Sequence, residues 1–130
     1  MTNERPLSPF SVDEVQVVPT RDEGVLRVAL SGCVEMRNPG EVFNAFWADV
    51  DAEAVSQGIR RVEVDLRSVG FMNSSGIMTL VRWVMRVVEQ DGGAPYKVLF
   101  RYDPGVTWQG TNMPVLARLA PEVVTLSDSG

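Results

Sequence analysis

"VDLRSVGFMNSSGIMTLVRWVMRVV", residues 64–88, is the stretch on which the fold turns. It starts as an apolar, β-branched run and passes through Asn73, Ser74, Ser75 and Gly76. It then continues as Ile77, Leu80, Val81, Val84, Met85 and Val88, which recur at helical spacing. Arg82, Arg86 and Glu89 fall off that stripe, as the solvent side of an amphipathic helix does. A strand that hands over to such a helix through a short polar turn is half of a strand–helix–strand unit. The two serine hydroxyls fall where the first backbone N–H groups of a helix lack partners. One reading makes Ser74 or Ser75 a helix cap, worth about 1 kcal/mol. The other takes the free donors and the helix dipole as a home for an anion, including a phosphate carried by the serine itself. Gly76 leaves the serine uncrowded and lets another protein's backbone come close.

Outward from this stretch the chain alternates between extended and helical patterns. Residues 1–12, with Pro6 and Pro9, read as a flexible N-terminal arm. In "VQVVPTRDEGVLRVALSG" two extended pieces, residues 15–18 and 25–30, flank a polar turn and predict a hairpin. From Pro39, the spacing of Val42, Phe43, Phe46, Trp47, Val50 and Ala54 predicts a helix that ends near Gly58. "VEVDL", residues 62–66, predicts a strand in front of the serine turn. Beyond the second helix, "DGGAP" breaks the chain and "YKVLFRY" alternates as a third major strand closed by "DPG". "TNMPVLARLA" offers Thr111 or Asn112 as a cap and Pro114 in the first turn of a short helix, and "VVTL" a last strand. This order predicts a single α/β domain over residues 13–127, with a mixed, mainly parallel sheet of four to six strands and packed helices.

Composition narrows the function classes. A chain of 130 residues with 45% hydrophobic and 22% charged residues suits one soluble domain with one core. Twelve basic against 17 acidic residues, a formal charge of −5, leave no basic footprint for nucleic acid or an anionic membrane. No apolar segment approaches the roughly 20 residues that span a bilayer, so no membrane insertion is expected. No signal peptide is visible, and the single cysteine, Cys33, suits a reducing compartment; together these predict a cytoplasmic protein. Histidine is absent, which removes the usual general base from any serine nucleophile and the commonest zinc ligand. The expectation is a protein that is not an enzyme and holds no metal or cofactor.

"VEVDLRSVGFMNSSGIMTLVRWV" resembles the central signature of STAS domains, the domains of sulfate transporters and anti-sigma factor antagonists. In that signature an apolar strand ends in Asp-Leu, a short link carries an aromatic, and Asp-Ser-Ser/Thr-Gly opens a helix. The local match covers about 25 residues, and the implied element order covers nearly the whole chain. "NSSGI" with the downstream "VTWQGTNMPVLARLAP" is more similar to a branch of small bacterial STAS-like regulators. In the antagonists, the first hydroxyl residue of the motif is phosphorylated by a partner that is both anti-sigma factor and serine kinase, and a phosphatase reverses it. The resemblance therefore implies Ser74 as phosphate acceptor, with Ser75 as second choice, and a protein partner such as a GHKL-type serine kinase, an anti-sigma factor or a related signalling protein. Asn73 stands where the family usually has Asp.

Loops at the carboxyl ends of parallel strands form the usual site of an α/β sheet, and both the serine turn and "VTWQGTN", residues 106–112, leave such ends. On that ground Trp108 and Gln109 are expected to join Asn73, Ser75 and Gly76 in a partner-binding surface, against the simpler reading that Trp108 plugs the end of the core. Cys33 reads as a small core residue, and Asp65 carries no metal assignment. Trp47 and Trp83 fit a core or an interface equally. The leading expectation is a regulatory protein-binding module switched by phosphorylation of Ser74. The alternative is a STAS-like scaffold or small-ligand-binding module in which the serines only cap or donate.

Overall fold

The computed structural model describes residues 7–90 and 92–128. Three strands, β1 (Phe10–Val12), β2 (Val15–Asp22) and β3 (Val25–Val34), make an antiparallel meander. They are followed by α1 (Pro39–Ser56), β4 (Arg61–Met72), α2 (Ser74–Val88), β5 (Lys97–Arg101), α3 (Thr107–Leu119) and β6 (Val124–Ser127). The sheet runs β1-β2-β3-β4-β5-β6, with β3 to β6 parallel to one another. Each helical crossover moves one strand along in the same direction, and right-handed crossovers of that kind put their helices on one face.

The alternation of the strands follows from this one-sided cover. Val15, Val17, Leu26, Val28, Leu30, Val62, Val64 and Leu66 are buried beneath Phe43, Trp47, Val50, Leu80, Trp83 and Val84 of α1 and α2. The acidic residues of "VEVDL" occupy the other face. There Glu63, 3% exposed, pairs with Arg61 (2.7 Å), Arg101 (3.3 Å) and Arg27 (3.4 Å). Asp65 takes a bidentate pair of hydrogen bonds from Arg67, at 3.0 and 2.8 Å, which holds its carboxyl below the usual carboxylate range. Both carboxylates are thus satisfied by arginine.

The two helices are joined through tryptophan. Trp47 of α1 stacks on Trp83 of α2 with ring centroids 4.4 Å apart and planes 12° apart, and Phe100 of β5 meets Trp83 edge-on. The Trp83 indole N–H donates to the Tyr96 hydroxyl (3.0 Å), which donates to Asp51 of α1 (2.6 Å). Burial, reinforced by the Asp51 hydrogen bond, pushes the Tyr96 hydroxyl above its ordinary pKa, so it remains a donor. Trp47 and Trp83 are core residues.

Several boundaries differ from the sequence reading: the hairpin strands run on to Asp22 and Val34, beyond the expected residues 15–18 and 25–30. Phe10–Val12, within the stretch read as an arm, form a strand, and Phe10 meets Phe46 edge-on at 5.3 Å; residues 1–6 lie outside the described residues. β4 continues to Met72 and delivers the chain directly into the serine turn. α3 begins at Thr107 instead of Thr111 or Asn112, which leaves Pro114 inside the helix. Pro is a first-turn signal because its missing N–H is an orphan there anyway, and that preference misplaced the start. Gly32 marks the bend in β3: its φ is +103°, and a Cβ there would lie 1.8 Å from the Glu14 carbonyl oxygen. Cys33, read as a small core residue, lies in β3 and is half-buried.

Candidate functional site

Asn73, not a serine, caps α2. Its side-chain oxygen accepts from the Gly76 N–H at 2.9 Å, while its amide nitrogen donates to the Met36 carbonyl at 3.0 Å. Its backbone N–H donates to Val34 at 3.0 Å. Both ends of the amide are used, which fixes its orientation and ties the turn after β4 to the segment leaving β3. The cap reading of Ser74 and Ser75 is therefore corrected: an Asn cap serves better because one side chain can both accept from the helix and donate across.

Released from capping, Ser74 and Ser75 occupy the first two helical positions, both exposed. Neither hydroxyl has a hydrogen-bond partner among the described residues, and their backbone N–H groups precede the first capped donor, that of Gly76. The turn presents two hydroxyls and two N–H groups to solvent at the positive end of a 15-residue helix.

Gly76 points the other way. It is buried, and a Cβ there would come within 2.8 Å of Met72 Cγ and 2.9 Å of Val34 Cγ1. Its lack of a side chain lets α2 sit down on β3 and β4; it does not open the turn to a partner, and the sequence expectation is corrected on that point.

Trp108 and Gln109 are also corrected. Trp108 is 7% exposed and Gln109 fully buried. β5 pairs with β4 only as far as Asp65, so the later carbonyls of β4 face no strand on that side. α3 supplies the missing donors: Trp108 Nε1 donates to Val69 at 2.8 Å, and Gln109 Nε2 donates to Leu66 at 2.7 Å and Val69 at 2.9 Å. Gln109 Oε1 accepts from the Asp103 N–H at 2.8 Å. The Trp-Gln pair stands in for a strand and holds the extension of β4 that carries the serine turn. It supports the site without facing it.

What surrounds the turn was less legible. Phe71, just before it, is 46% exposed, and Met78, one turn into α2, is 43% exposed. Arg37, Asn38, Pro39, Gly40 and Glu41 from the start of α1 join Ser75, Met78 and Arg82 of α2 around a groove of about 370 Å³. Met78 is the apolar residue that the buried stripe of α2 skips, and that omission is the signal that was available. Arg82 was read only as part of the solvent side of the helix.

Asn73→Asp lowers stability by about 2 kcal/mol, because a carboxylate can replace the cap but sets an acceptor against the Met36 carbonyl. Urea unfolding checks it: the midpoint falls at constant m. Equal stability of the two proteins would remove the cross-link from the account.

The six-stranded mixed sheet with its helices on one face has a STAS-like fold, as likeness to two solved structures shows. The comparisons agree on the fold. An anti-sigma factor antagonist from Mycobacterium paratuberculosis superposes with a TM-score of 0.59 at 21% sequence identity, over 95% of this chain and 92% of that one. In the crystal structure of the diguanylate cyclase SiaD in complex with its activator SiaC from Pseudomonas aeruginosa, the SiaC chain superposes with a TM-score of 0.66 at 16% identity, over 91% of this chain and 96% of that one. No protein-family model and no curated protein sequence matches the chain. No helix among the described residues is long and apolar enough to cross a membrane.

Proposed function

We propose that this chain is a cytoplasmic, non-enzymatic regulator that binds a protein partner through the serine turn, with reversible phosphorylation of Ser74 as its switch. The observation that carries the reading is the division of labour at the turn: Asn73 does the capping, so the hydroxyls of Ser74 and Ser75 are exposed and unengaged. Exposed Phe71 and Met78 beside them supply the apolar contact that a protein interface needs. A phosphate would add a charge of about −1.5 to −2 to a turn that carries none, which breaks an apolar contact or makes a new one with arginine. The likeness to an anti-sigma factor antagonist and to an activator crystallised with its target supports the regulatory reading. The partner class proposed is a GHKL-type serine kinase, an anti-sigma factor or a related signalling protein.

Ser74→Ala tests it. With no hydrogen bond to lose, the variant keeps its stability to within about 0.5 kcal/mol of the parent by thermal unfolding. It takes up no phosphate at residue 74, and the partner that the parent binds under one growth condition and releases under another stays bound under both. Condition-dependent binding that survives the substitution would leave a scaffold without a switch at this residue.

A further inference from the structure

The groove between the start of α1 and the N-terminal half of α2 is lined by two arginines with no described counter-ion. Arg37 and Arg82 are exposed, and neither forms an ion pair or a hydrogen bond among the described residues; Arg60, Arg86 and Arg118 also form no ion pair there, and what sets Arg37 and Arg82 apart is that they line one groove. In a chain of net charge −5, two unpaired cations facing one concavity mark a local positive pole. Glu41 is the acidic residue of the lining and offsets one of them. Ser75 lines the same groove; Ser74 does not. The two serines occupy successive helical positions, about 100° apart around the axis, so they face different surroundings.

We propose that this groove is an anion receptor whose occupant is a phosphate monoester carried in cis on Ser75, held by Arg37 from the segment before α1 and by Arg82, which stands two turns beyond Ser75 on α2 and reaches back toward its start. The proposal rests on the reading of the turn as a phosphorylation site, and assigns its two hydroxyls different fates. A phosphate on Ser74 faces outward and acts on the partner. A phosphate on Ser75 folds back between the two arginines, neutralises the positive pole and ties the start of α1 to the start of α2. Guanidinium groups suit the task, since each offers several N–H donors in a plane that matches phosphate oxygens. The N–H groups at the start of α2 add donors to the same anion.

The test installs phosphoserine at position 75 or 74 of the full chain during translation, so it does not depend on whether a kinase modifies either residue. The second phosphate ionisation is then followed by ³¹P NMR as pH is varied. Free phosphoserine ionises near pH 6, and two adjacent cations lower such a pKa by about one unit or more. The expected result is a depressed value for the phosphate at 75, a smaller depression at 74, and recovery toward 6 for the phosphate at 75 in both Arg37→Ala and Arg82→Ala. These substitutions are at exposed positions, and circular dichroism of each variant checks that the fold is kept. Equal values at 74 and 75, or a value at 75 indifferent to both arginines, would overturn the receptor, because the helix terminus alone would then account for the shift. An unperturbed phosphate at 75, in a protein whose unmodified form binds inorganic phosphate through Arg37 and Arg82, would overturn the cis assignment and give the groove to an anion from outside. Failure to find phosphate on the native protein bears on the switch of the preceding section and leaves this result standing.

Discussion

Gln109→Glu lowers the unfolding free energy by about 4 kcal/mol, since the lost amide donor leaves the Leu66 and Val69 carbonyls with a buried acceptor against them, at about 1–3 kcal/mol for each unsatisfied group. Protonating the new carboxyl would return one donor, so the loss is greatest at neutral pH and shrinks as pH falls through the raised pKa of a buried carboxyl. Total stabilities of domains this size are about 5–15 kcal/mol, so the variant remains foldable but unfolds at much lower urea. Because Gln109 holds the extension of β4 that leads into the serine turn, hydrogen exchange at residues 66–76 rises more than exchange at the buried centre of β3. A residue on a partner-binding surface behaves oppositely: its substitution leaves unfolding unchanged and weakens binding. Urea unfolding of Gln109→Glu at pH 7 and at pH 5 separates the two, and parental stability at both would show that the α3-to-β4 brace is not formed.

Trp83→Ala costs about 3–5 kcal/mol, the usual range for truncating a buried Trp. The ring lost is the one that stacks on Trp47, meets Phe100 edge-on and donates to Tyr96. Trp83→Phe keeps most of the apolar contact and loses the indole N–H, so its cost is smaller, about 1–2 kcal/mol. The ordering parent, Phe, Ala in thermal unfolding is the expected result. If Trp83 were an interface anchor, both variants would melt with the parent and differ from it only in partner binding.

The element order of the fold was legible because each segment carries its own period. β2 and β3 alternate around a Glu-Gly turn, and α1 and α2 repeat apolar residues at helical spacing. "VEVDL" carried more than its strand assignment. A parallel strand covered on both faces reads as a continuous apolar run, so the acidic residues at 63 and 65 already indicate a sheet with one open face. What the sequence did not disclose was how the ends of elements are satisfied. Gln109 and Trp108 look like loop residues until it is known that β5 stops at Arg101 while β4 runs to Met72, and that difference depends on non-local pairing. Gly76 and Asn73 show the same limit. Their motif marked a helix start, yet which residue caps, which packs and which faces solvent was decided by Val34 and Met36, nearly forty residues away in the chain.

The site reading changed accordingly. Of the residues first grouped as partner contacts, Ser75 is exposed, Asn73 is half-buried and tied to Met36, and Gly76, Trp108 and Gln109 point inward. The groove beside Ser75 is lined instead by Met78, Arg37 and Arg82, while Phe71 is exposed just before the turn. Charged and apolar residues on a surface carry no periodic signal of a shared site, and their gathering at one groove depends on how α1 and α2 start side by side.

The most direct measurement of the central claim is phosphopeptide mapping of the protein recovered from its own cells with phosphatase inhibitors present, under rich and stressed growth, comparing Ser74 with Ser75 and Thr79. Thr79 serves as an internal control, because its hydroxyl is buried and donates to the Gly76 carbonyl at 2.7 Å. The account predicts phosphate on Ser74 at a level that changes with growth condition, and none on Thr79. No phosphate at Ser74 under any condition would contradict it and leave the turn as a constitutive contact.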